Sequence, residues 1–174
     1  DQGCDVPTLL KDLQIVMDGA YQPSHPGALA HLDPPPLTAS IAADLICAGL
    51  NNNLLAEELS PGLSSLERQL CRWFAQRLGL PENAGGVLAS GGTLSNLMAL
   101  VTARSHQGPG DGVVLCSRDA HVSLQKATRV MGLASDALMQ LPVDAAGRLC
   151  STCLEQTLQA LHRRGRPCRA VVAT

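Results

Sequence analysis

The sequence predicts an α/β protein in which a helical N-terminal segment precedes a mostly parallel sheet with flanking helices. Apolar residues recur at helical spacing in residues 7–18, 37–50 and 63–78. From Gly86 onward, short apolar runs alternate with helical segments, a pattern typical of parallel sheets. A hydrophobic fraction of 45% in 174 residues is enough to fill the core of such a domain.

Two helices are predicted at the start of the chain. Leu9, Leu10 and Leu13 give residues 7–18 an apolar face at helical spacing. The glycines and prolines of residues 19–36 cannot continue a helix, and they predict a stiff loop. Residues 37–50 return to the helical period and end at three asparagines.

The remaining elements follow from capping residues and from the length of each apolar run. Ser64 and Glu67 predict a capping box for a third helix, which Gly79 ends. Thr152 and Glu155 predict the same device for the last helix. The predicted strands are residues 87–89, 113–116, 137–141 and 170–173, and the helices between them are residues 94–104, 121–132 and 152–163.

Composition excludes several classes of protein. The net charge of −2 lacks the positive excess of a nucleic-acid-binding domain, and three aromatic residues leave little for base stacking. No apolar run reaches the roughly 18 residues that a membrane span needs. We therefore expect neither a nucleic-acid partner nor a membrane partner.

The seven cysteines lie mostly in apolar segments, where Cys47, Cys71 and Cys116 occupy positions suited to small hydrophobic residues. Buried, reduced thiols in a cytoplasmic protein are the expectation. Cys150 and Cys153 form one C-x-x-C without a second pair at zinc spacing, so no metal site is predicted. A redox pair is the alternative for these two residues.

The densest functional signal is a glycine pair before a helix. Gly91 and Gly92 allow the backbone a close approach to a ligand, and Thr93 and Ser95 place hydroxyls at the helix start. Free N–H groups and the helix dipole favour an anion there, so the segment suits a phosphate. The alternative is a plain connection in which Thr93 only caps the helix. The sequence lacks G-x-x-x-x-G-K-[ST] and G-x-G-x-x-G, so nothing favours ATP or NAD.

His121 follows the second predicted strand. Ligands of open α/β sheets gather at the carboxyl ends of strands, so we expect His121 and the glycine turn to face one crevice. A purely structural histidine is the alternative.

Together these segments resemble the pyridoxal-phosphate-dependent group II amino-acid decarboxylases, which include enzymes acting on glutamate, aspartate, tyrosine, aromatic amino acids and diaminobutyrate. The resemblance runs in order along nearly the whole chain. The letters SGGTLSNL of residues 90–97 and HVSLQKA of residues 121–127 are its most distinctive parts. The other matching segments are His25-Pro26 with residues 30–32, residues 51–53, 58–61 and 66–67, Gly132, and VVAT at residues 171–174.

The resemblance implies roles for five residues. Leu94, through its backbone N–H, and Ser95 hold the phosphate of pyridoxal 5′-phosphate, with Thr93 adjacent. His121 stacks on the pyridine ring and is the candidate catalytic residue. Pro35 belongs to a proline stretch that resembles a segment lining the substrate pocket.

The resemblance also implies an incomplete domain. The family's Schiff-base lysine and pyridine-nitrogen aspartate would lie beyond Thr174, and the chain stops within its last predicted strand. Lys126 lies one helical turn past His121, where we expect it outside the cleft, and Lys11 has no such context. We expect residues 1–60 to be a helical dimerisation segment with a proline loop. Residues 61–174 are expected to be the first half of a fold-type I large domain, inactive alone.

The implied function of the complete protein is decarboxylation of an L-amino acid to the amine and CO₂, in a cytoplasmic homodimer. Two alternatives stay open. One is another fold-type I enzyme, such as an aminotransferase or a cysteine desulfurase. The other is a non-catalytic fragment or pseudoenzyme that binds a phosphate ligand or a partner chain. Residues 33–36 resemble the bacterial diaminobutyrate, aspartate and tyrosine branch of the family.

Overall fold

A computed structural model describes residues 3–29, 32–108 and 110–173. Contacts between Cα atoms divide the chain into two compact units, Asp1–Ser64 and Ser65–Thr174. Of the segments that carry the family resemblance, Ala30, His31 and Thr174 lie outside the described residues.

The first unit contains two helices, α1 (Val6–Asp18) and α2 (Thr38–Leu50), and a short 3-10 helix at Glu57–Leu59. α1 begins where the Asp5 carboxylate accepts a hydrogen bond of 2.9 Å from the N–H of Thr8. Neither helix buries a residue. The expectation that Cys47 is buried is therefore wrong, because every residue of α2 is exposed in the described structure.

The third helix, α3 (Pro61–Arg77), begins before the predicted capping box. Ser64 lies inside its first turn and donates its backbone N–H to the carbonyl of Ser60 at 2.9 Å. Glu67 instead accepts a hydrogen bond of 3.2 Å from the N–H of Leu88. The capping-box prediction is wrong because Pro61, which suits the first turn of a helix, starts the helix earlier.

The second unit holds the sheet. Strand β1 (Val113–Ser117) lies between β2 (Leu138–Leu141) and β3 (Cys168–Val172), and both pairings are parallel. Ser117 pairs with Leu141, which aligns the carboxyl ends of β1 and β2. The helices of this unit after α3 are α4 (Gly92–Gln107), α5 (Ser123–Val130) and α6 (Ser151–Arg163). The α/β architecture predicted from alternation is confirmed.

The buried core lies on both faces of β1, because side chains alternate along a strand. Val114 and Cys116 pack with Leu100 of α4 and Leu124 of α5. Val113 and Leu115 point to the opposite face and pack with a cluster that includes Leu161 of α6. Helices on both faces therefore hold the central strand out of water and fix the loops at its two ends.

Two predicted elements need correction. Residues 87–89 are not a strand, and Val87 and Leu88 are 67% and 58% exposed. They pair with no strand among the described residues, and an extended run needs such a partner to form a ladder. In α6 the N-cap is Cys150, whose sulfur accepts the N–H of Cys153, so the Thr152–Glu155 cap is also wrong.

An ion-pair cluster joins the amino ends of the three strands. Arg166, just before β3, contacts Asp136 before β2 at 2.7 Å and Asp111 before β1 at 3.1 Å. The guanidinium meets both oxygens of Asp136, a fork geometry that suits arginine. Arg166 thus connects three segments that are distant in sequence.

Candidate active site

The first turn of α4 has three backbone N–H groups that find no acceptor inside the helix. The first helical hydrogen bond runs from the N–H of Ser95 to the carbonyl of Gly91 at 3.0 Å. The N–H groups of Gly92, Thr93 and Leu94 precede that bond, and a helix provides them with no acceptor. No side chain caps this end, where Gly91 is the N-cap. Thr93 is therefore not the N-cap, so the capping role that the alternative gave to it is wrong.

A cavity of about 520 Å³ opens beside these donors. A Cβ atom added at Gly91 or Gly92 would meet nothing within 4 Å, so this backbone faces open space. The lining residues are Ser90, Gly91, Gly92, Thr93, Leu94, Leu97, Lys126, Ala127 and Val130. An anionic phosphate fits the donors and the positive end of the helix dipole.

Lys126 lines this cavity, so the expectation that it lies outside the cleft is wrong. The spacing from His121 places Lys126 one turn along α5 but carries no information about the neighbouring helix α4. α5 packs against α4, and the flank of α5 that carries Lys126 and Val130 borders the glycine turn. The lysine adds a positive charge to the place where an anion would bind.

A hydrogen-bond chain connects α4 to His121. The amide nitrogen of Asn96 donates to the Ser123 hydroxyl at 2.8 Å, and that hydroxyl lies 2.9 Å from His121 Nδ1. The backbone N–H of Ser123 also donates to Nδ1, at 3.2 Å. Nδ1 is thus an acceptor, which leaves the proton of the neutral ring on Nε2. Ser123 is fully buried, whereas His121 is exposed.

The structure brings some of the predicted site residues together and not others. Thr93 and Leu94 line the cavity, while the Ser95 hydroxyl donates to the carbonyl of Gly91 at 3.2 Å. His121 is not a lining residue of this cavity, and its connection to α4 runs through Ser123 and Asn96. Pro35 is an exposed residue of the first unit.

Sequence reasoning missed the contact between Asn96 and Ser123. Both lie inside the segments that carry the family resemblance, but they are 27 residues apart. Only the packing of α5 on α4 brings them together. The signal in the sequence was His121 followed closely by Ser123, a hydroxyl residue at the start of a predicted helix.

In the described part of the chain, no three His, Cys, Asp or Glu side chains are grouped as metal ligands. No helix within residues 3–29, 32–108 and 110–173 has the length and apolar character to cross a bilayer.

Comparison with known proteins identifies the class. The sequence profile described as "Pyridoxal-dependent decarboxylase conserved domain" matches residues 2–174. The chain belongs to this pyridoxal-dependent decarboxylase family, whose cofactor is pyridoxal 5′-phosphate. The resemblance to group II decarboxylases and the expected cofactor are thereby confirmed.

The relatives are longer than this chain. An L-2,4-diaminobutyrate decarboxylase of Rhizobium meliloti (strain 1021) is 35% identical over 161 residues, which are 91% of this chain and 32% of the relative. The chain thus spans about a third of that relative's length.

Two solved structures share the fold. The glutamate decarboxylase domain of a Vibrio parahaemolyticus diaminobutyrate-pyruvate transaminase and L-2,4-diaminobutyrate decarboxylase matches with a TM-score of 0.85 and 27% identity. The match covers 95% of this chain and 40% of that one. Oryza sativa TDC with PLP and tryptamine matches with a TM-score of 0.84 and 24% identity, covering 96% of this chain and 38% of that one. The fold is therefore that of the fold-type I pyridoxal-phosphate decarboxylases.

Proposed function

We propose that the protein decarboxylates an L-amino acid to the corresponding amine and CO₂ with pyridoxal 5′-phosphate as cofactor. The observation that carries this proposal is the open start of α4, joined through Asn96 and Ser123 to His121. The chain spans only part of its relatives, so the proposal concerns the polypeptide in which this segment works.

The residues of the α4 start would bind the cofactor's phosphate. Gly92, Thr93 and Leu94, whose N–H groups have no acceptor inside the helix, line one cavity, and Lys126 supplies a positive charge there. The hydroxyls of Thr93 and Ser95 lie in the same helical turn, and the Ser95 hydroxyl can turn from Gly91 toward a bound anion. By binding the phosphate group, these residues would orient the rest of the cofactor.

When bound, pyridoxal phosphate supplies the electron sink that makes loss of CO₂ feasible. His121 presents an exposed imidazole whose plane can stack on an aromatic ring. Ser123 and Asn96 hold that imidazole with its Nε2 proton free to donate. We assign His121 to ring stacking and to orientation of the substrate carboxylate.

The substrate is proposed to be a small L-amino acid, with L-2,4-diaminobutyrate as the first to test. Support comes from the 35% identity to a diaminobutyrate decarboxylase and from the proline stretch around Pro35. Aspartate, tyrosine and glutamate are the next candidates.

The protein is further proposed to be a cytoplasmic homodimer in which residues 1–60 serve dimerisation and residues 61–174 begin the cofactor domain. The apolar side chains of α1 and α2 support this arrangement, since Leu9, Leu13 and Ile41 are 46%, 48% and 56% exposed. Burying them against a second copy would remove apolar surface from water.

Product analysis tests the function. The purified protein, in the polypeptide form that cells make, is incubated with each amino acid and with pyridoxal phosphate. We expect amine and CO₂ in equal amounts. A keto acid would identify an aminotransferase, alanine with persulfide would identify a cysteine desulfurase, and no turnover with tight cofactor binding would indicate a pseudoenzyme. Any of these results would overturn the proposal.

A further inference from the structure

We propose that Cys150 and Cys153 form a thiol–disulfide exchange site, in which the pair closes to an intramolecular disulfide on reaction with a low-molecular-weight disulfide. This site lies apart from the cavity and from His121. It is independent of the decarboxylase proposal.

The two sulfurs are already adjacent. Their Sγ atoms lie 2.7 Å apart, and the Cys153 N–H donates to Cys150 Sγ at 3.3 Å. Cys150 is the N-cap of the 13-residue helix α6, so its sulfur faces the positive end of the helix. Both residues are half-buried, which leaves a path for a small reagent.

The hydrogen bonds also distinguish the two thiols. Hydrogen bonds from the Cys153 side chain and backbone lower the pKa of Cys150. The same side-chain hydrogen bond to Cys150 raises the pKa of Cys153, because it stabilises the protonated Cys153 thiol. A thiolate at the first position of a C-x-x-C is the reactive species in thiol exchange. Cys150 is therefore the attacking residue, and Cys153 resolves the intermediate.

The backbone before Cys150 is held by its own hydrogen bonds. Val143 and Leu149 form an antiparallel bridge, and the N–H of Cys150 donates to the carbonyl of Pro142 at 3.1 Å. Within the turn, the Asp144 carboxylate accepts N–H bonds from Ala146 and Arg148 at 2.8 and 2.9 Å. None of these bonds involves either sulfur, so closing the disulfide does not require any of them to break.

Two other thiols lack these features. Burial raises the pKa of Cys116 and Cys168, which keeps them protonated and slow to react. Cys116 is buried in the core cluster beside Val114. Reactivity is therefore expected at the C-x-x-C and not at these two sites.

The reaction balances with a disulfide as oxidant. The Cys150 thiolate attacks one sulfur of RSSR, which forms a mixed disulfide and releases one RS⁻. Cys153 loses its proton to water and attacks Cys150 Sγ, which closes the protein disulfide and releases a second RS⁻. The two thiols are oxidised as a pair, and RSSR is reduced to two thiols.

The test uses glutathione disulfide on the reduced protein in its native polypeptide form. Remaining thiols are alkylated, and peptides are identified by mass spectrometry. We expect loss of both alkylation sites at Cys150 and Cys153, with a peptide mass lower by two hydrogen atoms, reversed by dithiothreitol. Cys168 serves as the internal control and should stay a thiol. Full alkylation of Cys150 and Cys153, or a disulfide from either to another cysteine, would overturn the proposal.

Two variants test the assignment of the attacking sulfur. Cys153→Ser should accumulate a glutathione adduct at Cys150, because the resolving thiol is absent. Cys150→Ser should form its adduct at Cys153 at least about tenfold more slowly. Equal rates, or faster reaction in Cys150→Ser, would show that Cys150 is not the attacking residue. The wild-type measurement remains decisive if a variant fails to fold.

Discussion

The Ser123 hydroxyl lies 2.9 Å from His121 Nδ1 while it accepts the Asn96 amide at 2.8 Å. The Ser123 oxygen accepts a hydrogen bond from Asn96, so its own hydrogen is free to be donated to Nδ1 of His121. One buried serine thus determines both the tautomer and the orientation of an exposed imidazole. We infer from this chain of contacts that Ser123 is a positioning residue that acts through His121.

Ser123→Ala should lower kcat by about tenfold with little change in KM, because His121 loses its orientation while the cavity is unaltered. The variant leaves the half-buried Asn96 amide without this acceptor, which should cost about 0.5–1.5 kcal/mol of stability. Steady-state kinetics and urea unfolding measure the two effects. Thr102→Ala, which removes an exposed hydroxyl of α4, is the matched control. Unchanged kcat in a folded Ser123→Ala protein would remove the positioning role.

His121→Ala should lower kcat by at least about tenfold while pyridoxal phosphate stays bound. The phosphate donors of α4 do not include this residue, so cofactor affinity should depend on it only weakly. Kinetics and the absorbance of bound cofactor check both parts. His162→Ala, in the last turn of α6, is the control and should behave as wild type. Unchanged turnover would exclude His121 from the mechanism.

Thr93→Asp should weaken cofactor binding by at least about tenfold, because a carboxylate would face the phosphate. The same carboxylate is favourable at the start of a helix, so the apoprotein should not lose thermal stability. Isothermal titration with pyridoxal phosphate and a melting curve separate the two effects. Thr93→Asn has the same shape without the charge and should bind more tightly than Thr93→Asp. Equal affinities would place the phosphate elsewhere.

Lys126→Gln should weaken cofactor affinity by about fivefold or less, as expected for a charge that is exposed to solvent. Covalent attachment of the cofactor should survive, because Lys126 lies beside the phosphate donors and we assign attachment to another lysine. Borohydride reduction followed by peptide mapping identifies the modified residue. A reduced cofactor on Lys126 of the wild-type protein would contradict this assignment.

Asp136→Asn should lower the free energy of unfolding at neutral pH. The difference between variant and wild type should become smaller as the pH falls from about 5 toward 3. Hydrogen bonding to Arg166 lowers the pKa of Asp136 in the folded protein. The carboxylate therefore stabilises the fold above its unfolded pKa, and this contribution is lost as the pH falls through the folded pKa. Urea midpoints across that range measure it, with Asp12→Asn in α1 as control. A constant difference would show that Asp136 acts by packing alone.

Local patterns predicted most of the helices and three of the strands. The apolar spacing of residues 7–18 matches α1 within one residue, and the buried run at residues 113–116 matches β1. The strand predicted at residues 87–89 is wrong, because a short apolar run forms a strand only when a neighbouring strand pairs with it. Ser64 failed as a cap because Pro61 starts α3 earlier.

The site could be predicted only where its parts are contiguous. The glycine turn is one segment, and its open N–H groups follow from helix geometry alone. The placement of Lys126 in the cavity and the contact between Asn96 and Ser123 both require α5 to pack on α4. Contacts of that range depend on the tertiary fold, which spacing along the chain does not encode directly.

The Arg166 cluster joins the amino ends of the strands, whereas His121 follows the carboxyl end of β1. Protein engineering often meets a trade-off in which stabilising substitutions cost activity near the chemistry. Here the stabilising ion pairs and the proposed catalytic histidine lie at opposite ends of one sheet. A designer can strengthen the charge pairs around Asp111 and Asp136 to raise heat tolerance without touching the groups that would orient the substrate.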